Sequence, residues 1–229
     1  MKISIIIPLY NEESTIIKLL NKVNAQKESK VDLEIIVIDD CSTDKTNELL
    51  KKNDELFDKI IELKKNLGKG GAVRKGLEIA TGDYILFQDG DLEYNPEDYK
   101  KIFEMLENYK AEIVIGSRFL APEFTRVHYF FHKVGNRLIT LLFNVLYNST
   151  FTDIYSCYLC FKTELIDPKK IKTNGWQQHA EILATAVKKS KVHYEVPISY
   201  AGRTFDEGKK IRARHTISVV YTIIKKRFF

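Results

Sequence analysis

Short runs of almost wholly apolar residues, each stopped abruptly by polar or turn-forming residues, recur through the first 120 positions and constrain the fold more than any other feature. Residues 3–7 end at Pro8, and residues 33–38 end at Asp39-Asp40-Cys41-Ser42-Thr43-Asp44. Residues 60–63 and 84–88 continue the series, and residues 112–115 close it before Gly116-Ser117-Arg118. Runs this short and this apolar read as strands buried on both faces. Between them, residues 12–25 carry Ile16, Leu19, Leu20 and Val23 at helical spacing, and a glycine-rich turn opens a helix from about residue 71 to 80. Ser42 or Thr43 stands where it can cap a helix through Leu49 and Leu50. Strand–helix alternation of this kind builds a doubly wound, mostly parallel α/β sheet with helices on both faces.

Beyond Arg118 the texture changes. Val127, Phe130, Phe131, Val134, Leu138, Leu141, Leu142 and Val145 recur at three- and four-residue spacing, which predicts an amphipathic helical region over residues 127–147. A strand over 158–162, a helix over 178–188 and a strand over 192–196 follow. The length of 229 residues suits a single domain over 1–229. Net charge is only +5, but Lys209, Lys210, Arg212, Arg214, Lys225, Lys226 and Arg227 crowd the C-terminal end. Such a segment can meet nucleic acid, anionic lipid or phosphate, and composition does not choose among them. The three cysteines, Cys41, Cys157 and Cys160, lack a second Cys/His cluster for zinc and read as reduced thiols of a cytosolic protein. No signal-peptide pattern and no spanning apolar run is present, so the expectation is a chain that lies on a membrane at most.

In open sheets of this type ligands bind beyond the C-terminal strand ends. Three of those ends are polar: Pro8-Leu9-Tyr10-Asn11-Glu12, Asp39-Asp40 and Asp89-Gly90-Asp91. Asp89 and Asp91 can turn two carboxylates toward one point. Beside a diphosphate they would repel it unless a hard cation, Mg²⁺ or Mn²⁺, lay between; the same triplet also serves as ordinary turn chemistry. Asp39 or Asp40 can accept the imide N–H of uracil or the N1–H and amino group of guanine, or can cap the following helix. The loop Leu67-Gly68-Lys69-Gly70-Gly71 opens a helix, so its backbone N–H groups and Lys69 can face phosphate oxygens. Trp176 is either a sugar-stacking platform or a core aromatic.

Taken together these segments resemble glycosyltransferase family 2, and within it the polyprenyl-phosphate sugar synthases. The matching segments are Ile5-Ile6-Ile7-Pro8-Leu9-Tyr10-Asn11-Glu12, Glu34 to Asp44, Asn66-Leu67-Gly68-Lys69-Gly70-Gly71-Ala72, and Ala80 through Asp91-Leu92-Glu93 with Pro96-Glu97. The likeness continues in Thr152-Asp153 with Cys157-Tyr158, and in Val196-Pro197 through Gly202-Arg203 to Lys209-Lys210. The Gln-x-x-Arg-Trp signature of polysaccharide synthases is missing. Tyr155 and Leu159 stand where the nearest relatives carry an acid and a base.

The resemblance implies a GT-A, Rossmann-like fold with a C-terminal amphipathic helical region. Residues 1–120 would form the nucleotide-sugar-binding part and residues 121–229 the acceptor- and membrane-facing part. It implies an inverting sugar transfer from a nucleotide diphosphate sugar, of the GDP-mannose or UDP-glucose type, to a polyprenyl phosphate, with transfer to a soluble saccharide or protein, nucleotidyl transfer and a non-catalytic partner subunit as the alternatives. Asp89 and Asp91 would hold Mg²⁺ or Mn²⁺, Asp91 and Asp153 would be catalytic, and Pro8, Tyr10, Glu12, Asp40, Lys69, Asp89, Arg118, Arg203 and Lys209 would bind substrate. Glu181 matches an acid of the relatives and would line the acceptor site, whereas His179 reads as structural. A phosphate acceptor, with a second pKa of about 6, is already ionised at neutral pH, so Asp153 would orient it rather than deprotonate it. The implied setting is the cytoplasmic face of an anionic membrane, with a separate membrane subunit as a possible partner and no nucleic acid. Residues 127–147 and the tail from Lys209 would supply the interfacial contact, against core packing as the alternative.

Overall fold

Ile3, Ile5, Ile6 and Ile7 are wholly buried, so the first strand is covered on both faces, as its unbroken apolar run requires. In the computed structural model, which describes residues 1–28, 31–120, 126, 129–203 and 215–229, that strand, β1 (Lys2–Leu9), lies in a seven-stranded sheet. The chain continues through α1 (Ile16–Asn24), β2 (Asp32–Asp39), α2 (Thr46–Lys52), β3 (Lys59–Glu62), α3 (Lys69–Ile79) and β4 (Tyr84–Phe87). Then come α4 (Tyr99–Tyr109), β5 (Ile113–Ser117), α5 (Phe130–Tyr147), β6 (Leu159–Lys162), α6 (Gln178–Val187), β7 (His193–Pro197) and α7 (His215–Phe228). The sheet order is β3-β2-β1-β4-β6-β5-β7.

β1 pairs in parallel with β2 on one side and with β4 on the other, so the order reverses at β1 and opens a crevice beyond its end. Leu9 lies opposite Asp39, and Ile6 opposite Phe87, which brings the ends of β1, β2 and β4 to one edge. β6 is the exception to the parallel pattern, running antiparallel to both β4 and β5. Because it runs backwards, the segment that enters it, residues 153–158, arrives at the same edge where the parallel strands leave. That reversal places a late stretch of sequence beside the early one.

α3 crosses β1 and β2 closely at Gly76, where a Cβ would lie 2.7 Å from Ile6 Cγ2 and 2.8 Å from Ile38 Cδ1. The expected cap of α2 is not formed by Ser42 or Thr43. The Asp44 carboxylate accepts the Thr46 N–H instead (3.0 Å), while Ser42 and Thr43 accept and donate across to Asn11. That link holds the β1 and β2 end loops together, with Asn11 and Cys41 both in the left-handed region (φ 53° and 64°).

The two late helices depart from a simple inside-outside pattern. α5 buries Ile139, Thr140 and Phe143, and α7 buries Val219, Thr222 and Ile223, yet both present further apolar residues outward. Phe130 is 72% exposed, Phe131 82%, Val145 73%, Ile217 77% and Phe228 65%. Each helix thus has one apolar face for the core and another facing out. Val127 and His128 lie outside the described residues, as do residues 204–214. Among the described residues no helix is long and apolar enough to cross a membrane.

Candidate functional site

The strand-end edge carries two adjoining clefts that share Lys69, Asp89, Glu93, Trp176 and Tyr200 as a common wall. The first, about 340 Å³, lies beyond β1, β2 and β4. Pro8, Tyr10, Glu12, Asp40, Lys69, Asp89, Asp91 and Arg203 all line it, which brings together most of the residues expected from sequence to touch the donor. The second, about 250 Å³, lies under α5 and α7 and contains Arg118. Lys209 lies outside the described residues.

The two aspartates after β2 divide their work. Asp39 accepts from the Ser42 backbone N–H (3.0 Å) and from its hydroxyl, and so shapes its own loop. Asp40 faces the first cleft, with one oxygen accepting the Leu67 N–H at 2.7 Å. Burial raises its pKa, even though the Leu67 and Gly68 backbone N–H groups favour the charged form.

Asp89 and Asp91 sit on either side of Gly90 and are each matched by a cation. Lys69 forms an ion pair with Asp89, and the Arg203 guanidinium donates to Asp91 at 2.7 Å while also reaching Glu12 (3.4 Å) and Glu93 (3.4 Å). Burial opposes charge on Lys69 and on Asp89 alike, but their mutual attraction wins, holding the lysine above and the aspartate below its ordinary value. Asp91 is pushed up to about 7 by burial and by the nearby Asp89 and Glu93, with Arg203 only partly offsetting them. The nearby Cys157 thiol also favours the charged form of Asp89.

This donor set suits a hard divalent cation. Among the described residues no three His, Cys, Asp or Glu side chains form a cage that could hold one unaided. Asp91, raised first by burial and then by Asp89 and Glu93, is the carboxylate whose charged form a further cation would favour. Mg²⁺-type sites typically take one or two carboxylates and complete their shell with substrate phosphate oxygens.

The glycine loop does something other than the phosphate cradle expected of it. The Gly70 N–H donates to the Asn174 carbonyl at 2.7 Å and the Gly71 N–H to the same oxygen at 3.3 Å, so these helix-opening donors are already occupied. A Cβ at Gly70 would lie 2.7 Å from Asn174 C and 2.8 Å from Thr173 O. The glycines admit this loop to the start of α3, and Gly68 supplies a positive φ of 76°. Lys69 remains the group of this loop that faces both clefts.

Asp153 is fully buried and lines neither cleft. Its carboxylate takes the Arg118 guanidinium in a two-pronged contact (Nε to Oδ2 2.7 Å, Nη2 to Oδ1 2.8 Å) and the Arg118 N–H at 3.1 Å. Burial opposes the Arg118 charge, but Asp153 more than restores it, and the guanidinium stays firmly protonated. In this arrangement Asp153 positions Arg118, which faces the second cleft. Glu181 also departs from its expected role. Its carboxylate is buried, pairs with Lys226 of α7 at 2.7 Å and accepts from the Thr173 N–H (3.0 Å), so it ties α7 to the loop before α6 and lines neither cleft.

Trp176 lines both clefts, with the Lys69 ammonium 5.1 Å from its ring centre. Ser156 and Gln178 line the second cleft and carried no signal in sequence beyond proximity to quoted motifs; His179, which read as structural, lines it too. Glu93 and Tyr200, joined by a 2.9 Å hydrogen bond in the shared wall, belong to quoted segments but were not singled out. Cys157 escaped because only the antiparallel entry into β6 brings it to Asp89.

A family model described as Glycosyl transferase family 2 matches residues 4–166. The chain belongs to that family. It is similar to a dolichol-phosphate mannosyltransferase of Pyrococcus furiosus, 29% identical over 91% of this chain and 59% of that protein. It is equally similar in identity, 29%, to the low-salt glycan biosynthesis hexosyltransferase Agl6 of Haloferax volcanii, over 88% of this chain and 48% of that one. The chain therefore spans about half of the curated relatives it matches. Among solved structures, glucosyl-3-phosphoglycerate synthase of Mycobacterium tuberculosis, in complex with Mn²⁺, UDP and phosphoglyceric acid, superposes with a TM-score of 0.72 at 19% identity, covering all of this chain and 79% of that one. The fold of this family member is accordingly of the GT-A, Rossmann-like type.

Proposed function

We propose that the chain transfers a sugar from a nucleotide diphosphate sugar to a polyprenyl phosphate, with inversion and with the help of Mg²⁺ or Mn²⁺. The observation that carries this reading is the pair of clefts meeting at Lys69, Asp89 and Trp176. One lies at the strand ends and carries Asp40, Lys69, Asp89, Asp91 and Arg203; the other is roofed by two helices that present exposed apolar residues outward. The similarity to a dolichol-phosphate mannosyltransferase supports the lipid phosphate as acceptor.

In this reading Asp40 receives the base and the first cleft receives the diphosphate. Asp89 and Asp91 hold the divalent cation, which supplies charge to stabilise the departing diphosphate. Lys69 adds a fixed positive charge beside it, and Arg203 exchanges its contact with Asp91 for the donor's phosphates. Arg118, held rigidly by Asp153, presents its guanidinium in the second cleft to the acceptor phosphate, a match of planar fork to oxyanion. That phosphate is itself the nucleophile, which leaves no step that requires Asp153 as a base. The exposed apolar faces of α5 and α7, with Lys133, Arg137, Lys225 and Arg227 on the same two helices, would dock on an anionic bilayer and bring the lipid carrier to the cleft mouth.

The test is incubation with UDP- and GDP-sugars, Mg²⁺ or Mn²⁺, and polyprenyl phosphate in vesicles containing anionic lipid, with products identified by mass spectrometry. A glycosyl phospholipid is the expected product. Transfer to soluble saccharides with none to the lipid phosphate would overturn the acceptor assignment.

A further inference from the structure

The floor of the second cleft holds polar atoms with nothing to bind. Ser156 Oγ, Gln178 Nε2 and His179 Nε2 are buried and have no hydrogen-bond partner among the described residues, and all three residues line this cleft. Ser156 is wholly buried and Gln178 2% exposed. Buried polar groups are almost always satisfied, because an unmade bond costs the full desolvation of the group. Three in one cleft mark a place where a ligand supplies the partners.

Their position says which part of a ligand. Ser156 immediately precedes Cys157, which lines this cleft together with Asp89. Gln178 Cβ lies against the start of α3, 2.8 Å from where a Gly70 Cβ would stand. Burial, and then the neighbouring Lys69, lowers the His179 pKa to about 4, so its imidazole is neutral and offers hydrogen bonds without charge. The unpaired atoms therefore sit just past the wall that the two clefts share. A nucleotide sugar laid along the first cleft, base at Asp40 and diphosphate at Asp89, puts its next group here. Farther in, the cleft runs under α5 and α7, past Phe131, Ile139 and Val219 as well as His132, Asn136 and Thr216.

We propose that Ser156, Gln178 and His179 form the subsite that recognises the hydroxyl groups of the transferred sugar, and so set donor-sugar specificity. This rests on the glycosyl-transfer reading above. Three uncharged groups fit a neutral hexose ring, with Trp176 alongside, better than they fit a phosphate, for which Arg118 is the partner in the same cleft.

The experiment is calorimetric binding of UDP, GDP, UDP-glucose, UDP-N-acetylglucosamine and GDP-mannose in Mn²⁺ to the wild type and to Ser156→Ala, Gln178→Met and His179→Phe, with circular dichroism as a folding check. For the nucleotide sugar that the wild type prefers, each variant is expected to lose roughly 2- to 13-fold in affinity, the range for one hydrogen bond between neutral groups. Affinity for the bare nucleoside diphosphate should stay within about twofold, since only the sugar has lost a partner. Deoxy-sugar analogues give a second readout that survives a partly destabilised variant. Removing the matching hydroxyl should weaken binding to the wild type and have no further effect on the variant that lacks its partner. Equal sugar-nucleotide affinities and unchanged discrimination among analogues in all three variants would overturn the subsite while leaving the transferase reading intact. A rise confined to the acceptor KM would also overturn it. Failure of the wild type to bind any nucleotide or nucleotide sugar would instead overturn the reading on which it rests.

Discussion

Replacing Asp153 by Asn separates a positioning role from that of a catalytic base. The carboxylate receives the Arg118 Nε, Nη2 and backbone N–H, at 2.7, 2.8 and 3.1 Å, and is itself fully buried. An asparagine keeps one acceptor oxygen but points its amide N–H₂ at a guanidinium that can only donate. Arg118 is 8% exposed, so its charge would be left buried without a counter-charge. Breaking a buried pair from one side typically costs about 3–5 kcal/mol. For a domain of this length that is roughly 6–20 °C in Tm, if unfolding is read reversibly. The assay is thermal denaturation beside steady-state transfer to a polyprenyl phosphate between pH 6 and 9. The expected outcome is a lowered Tm, a raised acceptor KM, and a residual rate that still climbs as the acceptor phosphate ionises. A variant with wild-type Tm whose transfer is abolished at every pH would refute the argument and make Asp153 an obligatory base.

Asp91, with its folded pKa raised to about 7 from 3.8, favours the folded state below pH 3.8 and loses that contribution as pH rises through 7. The protein without metal should therefore lose Tm between pH 5 and 8, Mn²⁺ should restore it at pH 8, and Asp91→Asn should flatten both effects; identical Tm profiles for variant and wild type would refute this. His179 has the opposite sign. Its pKa is lowered to about 4, so the stability it contributes is complete above about 6.5 and is lost as pH falls through 4, and His179→Phe should shrink the acid-induced drop in Tm. Gly70→Ala should cost about 1–3 kcal/mol by overpacking against Asn174 and Thr173, and should shift the emission of Trp176, the single tryptophan of the chain. Unchanged emission would mean the loop does not yield there.

The sheet was readable because its strands are short apolar runs that can only be buried on both faces, and the acids of the first cleft were readable because they follow those runs directly. Asp39 and Asp40 were not separable in sequence, since which one turns inward depends on Ser42 taking hold of Asp39. The outer faces of α5 and α7 were legible as apolar, but their division into a buried and an exposed stripe follows from packing. Phe143 is buried and Phe131 is 82% exposed, although both are phenylalanines of one helix. The second cleft was hidden for a topological reason. Local pattern does not reveal that β6 runs backwards, and only that reversal carries Ser156 and Cys157 to the edge where β1 and β4 end.

The glycine loop shows how a correct motif can be attached to the wrong physics. Its spacing says that backbone must come close to something, and a helix start makes phosphate the obvious guest. Here the close neighbour is the chain itself. The Asn174 carbonyl takes the Gly70 and Gly71 N–H groups of α3 and thereby fixes the loop that carries Trp176. That loop is held from behind by Glu181, which accepts from Thr173 and pairs with Lys226 on α7. The wall between the clefts is thus braced on one side by α3 and on the other by a helix whose outer face is apolar. Glu181 is one buried carboxylate by which α7 touches that wall. Glycine at 70 is needed for that brace, and Lys69 remains the cation of this loop that faces both clefts.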